Sequence, residues 1–195
     1  MRNLLKAALF LSVASSFAIA QQGGRTIYLV RHAEKAEAPA DDPALTPAGQ
    51  KRAECLAQVL KDAGIKQIYV TDTKRTQQTA EPVAKALGLK ANVLPAKDVP
   101  TLVRDLFYST GNALVVGHSN TIPVIIQKLQ GGTFQIKDNE FDRLFVLTIT
   151  GEGSGTSAAN LHVCAPSASS SPMLGNAQPK ATPTPKKTAT PKKKP

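Results

Sequence analysis

The stretch TIYLVRHAEKAE, Thr26 to Glu37, decides how the rest of the chain is read. Its first five residues are β-branched, aromatic or aliphatic, which suits a buried strand. Arg31 and His32 then stand where that strand surfaces. In sheets built from strands alternating with helices, ligands bind beyond the carboxyl ends of the strands. An arginine and a histidine at such an end therefore raise the question of whether other strands end in kindred chemistry.

Short apolar runs do alternate with amphipathic segments. LTPAGQKRAECLAQVLKDAG, Leu45 to Gly64, opens a helix with Thr46 as N-cap and Pro47 at the first helical position, and closes it at Gly64. QIYVT (Gln67 to Thr71) is a second strand, followed by a helix from Thr73 to Gly88 that contains Pro82. ANVL (91–94) is a short strand and VPTLVRDLFYS (99–109) a helix, with Asp105 on the helix face. NALVVGHSNTIPVIIQKL (112–129) repeats the opening pattern: a strand from Ala113 to Val116, a turn at Gly117 and a helix from about Thr121. RLFVLTI (143–149) and NLHVCA (160–165) are expected as a hairpin across the Gly-rich TGEGSGTSA. The expected fold class is α/β, a three-layer sandwich whose mainly parallel central sheet has helices on both faces and an antiparallel edge at the end.

Arg31 and His32 follow the first strand, Arg75 the second, and His118 the strand ending at Gly117. All four thus belong to one rim. Two arginine forks match the oxygens of a dianion, and an imidazole attacks or donates. A metal site is the weaker rival, because the arginines repel a cation and no Cys or carboxylate joins at a ligand spacing. Ser119 in GHS lacks the second glycine of a nucleophile elbow.

The segments LVRHAEKA, LTPAGQKRA, VTDTKRTQQTAEPVA and ALVVGHSNTIP, in that order, resemble the histidine phosphatase superfamily with its phosphoglycerate mutase-like fold, and within it the short bacterial members. The similarity covers about Thr26 to Ile149. It implies His32 as nucleophile, forming a covalent phosphohistidine, and Arg31, Arg75 and His118 as the phosphate-binding groups, with neither metal nor organic cofactor. Two departures stand out: Ala33 replaces the usual glycine after the histidine, and the asparagine often found downstream is absent from AEKAEAPADD. The general acid that protonates the leaving oxygen is left open between Glu34 and Asp98. The pocket walls are expected from the connections 36–44 and 96–110.

The ends read differently. Met1 to Ala20 carries Arg2 and Lys6, an apolar run and then AIA, the layout of a secretory signal cleaved near Ala20. Residues 21–165 form the phosphatase domain. The remainder, 166–195, is rich in proline, lysine and threonine, lacks any acidic residue and is expected to be disordered. Of 24 Lys+Arg, two lie in the signal and six in this tail, leaving 16 against 14 acidic residues. The high charge belongs to a tail that meets anionic envelope surfaces or serves as a solvated spacer, so no nucleic-acid partner is indicated. The expected partner is a phosphorylated small molecule or phosphoprotein, bound by an exported, periplasmic or secreted phosphomonoesterase; the alternative is a phosphate-recognising module of the same fold without turnover. An exported chain permits a Cys55–Cys164 disulfide, but spacing alone does not bring the two together, and two buried free thiols are the leading expectation.

Overall fold

A computed structural model describes residues 24–150 and 155–165; the expected signal and tail lie outside the described residues. The elements run β1 (Arg25–Arg31), α1 (Pro47–Leu60), β2 (Ile65–Thr71), α2 (Lys74–Leu87), β3 (Ala91–Leu94), α3 (Val99–Tyr108), β4 (Asn112–Gly117), α4 (Thr121–Lys128), β5 (Arg143–Thr150) and β6 (Gly155–His162). They build one six-stranded sheet in the order β3-β2-β4-β1-β5-β6. β3, β2, β4 and β1 pair in parallel, whereas β5 and β6 run antiparallel. The α/β sandwich is as the sequence predicts, with an antiparallel flank two strands wide.

The alternation of side chains along the strands divides the core in two. Ile27 and Leu29 of β1 and Ala113 and Val115 of β4 face α3 and α4, whose Leu102, Leu106, Ile122, Ile125 and Ile126 close that layer. Val30, Leu114 and Val116 face the other way, onto Leu56, Ala57 and Leu60 of α1 and Ala80 and Val83 of α2. Each fully buried aliphatic side chain of this kind stabilises the fold by roughly 1.5–3 kcal/mol before chain entropy is set against it. β1 and β4 are thereby locked between two apolar layers, and their carboxyl ends emerge as neighbours, with Val30 opposite Val116 and Arg31 opposite Gly117.

Two expectations need correction. β6 begins at Gly155, five residues before NLHVCA, because the backbone of GTSAA pairs with β5 although its small residues show no apolar alternation. The cysteines are not free thiols: Cys55 and Cys164 form a disulfide, Cα atoms 5.8 Å apart. After β6 the chain turns back over α1, with Cys164 in the left-handed region at φ 54, and no spacing in the sequence reveals that turn. Both cysteines are half-buried.

Candidate active site

His32 is the first residue past β1 and is 4% exposed. Its backbone N–H donates to Gly117 O at 2.9 Å, which stitches it to the end of β4. Its Nδ1 lies 2.8 Å from the carbonyl oxygen of Ala33. A carbonyl only accepts, so Nδ1 carries the proton, and the lone pair of the neutral ring is on Nε2. Burial, reinforced by the charges of Arg31, His118 and Arg75 and opposed by the bond to Ala33, lowers the His32 pKa to about 4. At neutral pH the ring is uncharged, with a lone pair on Nε2.

His118 follows β4. Its backbone N–H donates to Thr121 Oγ1 at 3.0 Å, and Gly117 fits because a Cβ there would meet Ile122 Cδ1 at 2.9 Å. Its Nε2 is hydrogen-bonded to Thr71 Oγ1 at 2.9 Å. Thr71 in turn bonds Thr73 and Thr76 at the start of α2. The His32 and His118 rings lie 5.5 Å apart, centroid to centroid. Burial first, then the cations Arg75 and Arg31, lowers the His118 pKa to about 4, with Asp72 pulling the other way.

Arg31 donates from Nη1 to the carbonyls of Lys137 and Asp138, 2.9 Å each, and its guanidinium lies over the Phe141 ring, 4.4 Å from the centroid. Phe141 also sits 6.2 Å from the His32 ring. Segment 137–141 is therefore a wall of the site that the expected pair of connections did not include. Arg75 stands in the first turn of α2. The Nε atoms of Arg31 and Arg75 are both buried without a protein hydrogen-bond partner. Burial lowers the Arg31 pKa, Asp138 opposes, and the like charge of Arg75 adds to the lowering. Two half-buried cations that repel one another, each with a buried and unpaired Nε, form a cradle for an anion. Among the described residues no cluster of three or more His, Cys, Asp or Glu is placed to hold a metal ion.

The four residues expected at one rim are brought together; the two expected acids are not equivalent to them. Arg52 Nε and Nη2 grip the Glu34 carboxylate at 2.6–3.1 Å. Burial pushes the Glu34 carboxyl up, but the hydrogen bonds and charge of Arg52 outweigh it and hold the group below its usual range. Glu34 is an ionised strut, which corrects the expectation of a proton donor. Asp98 accepts from Thr101 N–H at 3.2 Å as the N-cap of α3, and lines a hollow of about 20 Å³ with Thr71, Gly117 and Thr121. Asp72 at the end of β2, absent from the expected set, is the carboxylate whose charge acts on His118. Its place directly after a strand was the available signal. Thr79 was also missed. Its hydroxyl accepts from Ala33 N–H at 2.9 Å and donates to Arg75 O at 2.6 Å, so one side chain holds the nucleophile segment in register with Arg75. Only its helical spacing of four from Arg75 marks it in the sequence.

Comparison with known proteins agrees with this geometry. The family description "Histidine phosphatase superfamily (branch 1)" matches residues 27–96, which carry Arg31, His32 and Arg75. A Yersinia enterocolitica protein assigned as the phosphoglycerate mutase GpmB is 39% identical over 71 residues, 33% of this chain and 33% of that one. The match thus spans about a third of the length of such curated relatives. Among solved structures, a protein assigned as the phosphohistidine phosphatase SixA of Nakamurella multipartitia superposes with a TM-score of 0.55 at 26% identity, covering 73% of this chain and 98% of its own. The protein histidine phosphatase SixA in complex with tungstate superposes with a TM-score of 0.58 at 22% identity, covering 71% and 95%. The matched segment holds Arg31, His32 and Arg75, with His118 beside them in space, so residues 27–96 resemble the histidine phosphatase superfamily and the chain has the phosphoglycerate mutase-like fold.

Proposed function

We propose that this protein is a phosphomonoesterase that works through a covalent phosphohistidine on His32. One observation carries the reading: a neutral imidazole with its lone pair on Nε2 stands beside two buried arginine Nε donors that have no protein partner. In the first step Nε2 attacks phosphorus in line, the P–N bond forms, and the P–O bond to the leaving group breaks. In the second, water attacks, the P–N bond breaks, and inorganic phosphate leaves with His32 neutral again. Arg31 and Arg75 neutralise the equatorial oxygens as charge spreads over them, and the neutral His118 ring donates a hydrogen bond to one of them.

The site favours good leaving groups. Glu34 is ionised against Arg52, and Asp98 is engaged in a helix cap, so neither is held as a ready proton donor. Aryl phosphates and phosphorylated imidazoles need little proton donation, and the second class accords with the activity named for the SixA neighbours. Hydrolysis rather than mutase transfer is supported by the exposed connection 37–41, which leaves the rim open to water. Export is supported by the signal-like start and by the disulfide, which suits an oxidising compartment.

The test is hydrolysis of 4-nitrophenyl phosphate by the purified protein against His32→Ala. Turnover confined to the parent protein is expected. Equal rates would discard the reading in favour of a phosphate-recognising module.

A further inference from the structure

The nucleophile segment is held from behind by one stripe of α1. Thr46, the N-cap, and Gly49, Arg52 and Cys55 stand three residues apart along one inclined row of side-chain positions on α1. Thr46 N–H donates to Glu34 O at 2.9 Å. Gly49 lies so close that a Cβ would stand 2.3 Å from the same oxygen. Arg52 chelates the Glu34 carboxylate through Nε and Nη2, and its Nη1 donates to the carbonyl of Cys164. Cys55 is bonded to Cys164. Every arm of the Arg52 fork is thus engaged, one of them with the carbonyl of Cys164, the residue that the disulfide ties to α1.

Glu34 is two residues from His32, and the residue between them, Ala33, supplies the carbonyl that takes the His32 Nδ1 proton. We propose that Arg52 is a positioning residue for His32 and that the Cys55–Cys164 disulfide holds Arg52 in that role, so that turnover depends on the bridge being intact. Among the described residues Arg52 hydrogen-bonds to Glu34 and Cys164 and not to Arg31, Arg75 or His118. A hollow of about 20 Å³, lined by Arg31, Ala33, Arg52, Phe141 and Cys164, lies between the strut and the site and gives the fork room to move once Cys164 is released. Cys55 and Cys164 are half-buried, and the reductant taken is a small dithiol. Its thiolate attacks one sulfur to give a mixed disulfide, and its second thiol closes the ring. Cys55 and Cys164 leave as thiols, having gained two electrons and two protons that the dithiol has lost. The inference rests on the phosphatase reading above.

The experiment compares kcat and KM for 4-nitrophenyl phosphate in oxidised protein, in protein reduced with dithiothreitol and alkylated at both thiols, and in Arg52→Ala and Arg52→Lys, each checked by far-UV circular dichroism. A displacement of the reacting ring by a fraction of an ångström to an ångström lowers turnover by about 10- to 100-fold. The expected result is a fall of that size in kcat, on reduction and in Arg52→Ala alike, with KM within about two-fold because the phosphate cradle is untouched. Arg52→Lys recovers part of the rate, and reduction slows Arg52→Ala no further. Reduced, alkylated protein that keeps the kcat of the oxidised form overturns the inference, as does Arg52→Ala that reduction slows as much as the parent. Nitrogen-detected NMR of the His32 ring reads the same placement without turnover: the Nδ1–H tautomer is expected in oxidised protein and an exchange-averaged ring after reduction. An unchanged ring overturns the inference even if the parent protein proves inactive, whereas inactivity alone overturns only the phosphatase reading.

Discussion

The rings of His32 and His118 lie 5.5 Å apart at an interplanar angle of 65°, each with one nitrogen bonded to the protein, to the Ala33 carbonyl in one case and to the Thr71 hydroxyl in the other. Nε2 of His32 and Nδ1 of His118 are left as the nitrogens without a partner among the described residues. In the proposed mechanism one ring attacks and the other binds what is attacked.

Both imidazoles have pKa values lowered to about 4, burial being the leading cause. Since the proposed mechanism makes the neutral ring the nucleophile, kcat/KM corrected for ionisation of the substrate is expected to stay level from pH 8 to about pH 5 and to fall below that. A break near pH 6.5 would show that His32 titrates as an ordinary histidine. Stability follows the same linkage. Between the ordinary value of 6.5 and the folded value of about 4 the unfolded chain binds protons that the native state does not. The contribution of these groups is complete above pH 6.5 and is lost as pH falls toward 4. Urea midpoints measured from pH 7 to pH 4 check the sign.

Arg75→Met separates function from stability. The side chain's Nε is buried and unpaired, and its charge opposes that of Arg31. Removing it is expected to lower kcat/KM by roughly 100- to 1,000-fold while raising stability by about 1 kcal/mol. A variant that loses both activity and thermal stability would mean that the cradle is held together by Arg75 rather than strained by it.

Gly49→Ala is expected to be harmful although alanine favours helices by about 1 kcal/mol over glycine. The new Cβ would stand 2.3 Å from the carbonyl oxygen of Glu34, a backbone atom fixed by Thr46. Displacing it should lower stability by about 1–3 kcal/mol and slow turnover with it. A raised melting temperature would show that the segment after His32 yields freely.

Much of this was legible in the sequence, for reasons that differ by element. β1, β2 and β4 are buried on both faces, so their apolar runs stand out, and the chemistry at their ends lies within a few residues of them. β6 is an edge strand of small residues and gave no such signal over its first half. Glu34 looked like an acid because it is close to His32 in the chain, yet its partner Arg52 lies 18 positions away on the next helix. The bridge of Cys55 to Cys164 spans 109 positions and depends on a turn at positive φ that residue types alone do not announce. Contacts between distant segments were what the sequence withheld.

Thr71→Val tests the support under His118. The valine keeps the shape and removes the hydroxyl bonded to Nε2, which leaves the ring free to turn. One such bond to a partly buried imidazole is worth on the order of 1 kcal/mol, so a fall of about five- to ten-fold in kcat/KM is expected, with the far-UV spectrum unchanged. An unaltered kcat/KM would assign the threonine cluster to the start of α2 alone.

The most direct measurement is of the intermediate itself. Protein quenched in alkali during turnover of a phosphate monoester and digested for mass spectrometry is expected to carry a phosphoryl group on His32 that is stable to alkali and labile to acid. The adduct should be absent from His32→Ala. Turnover with no adduct on His32, or an adduct on His118 instead, would contradict the account.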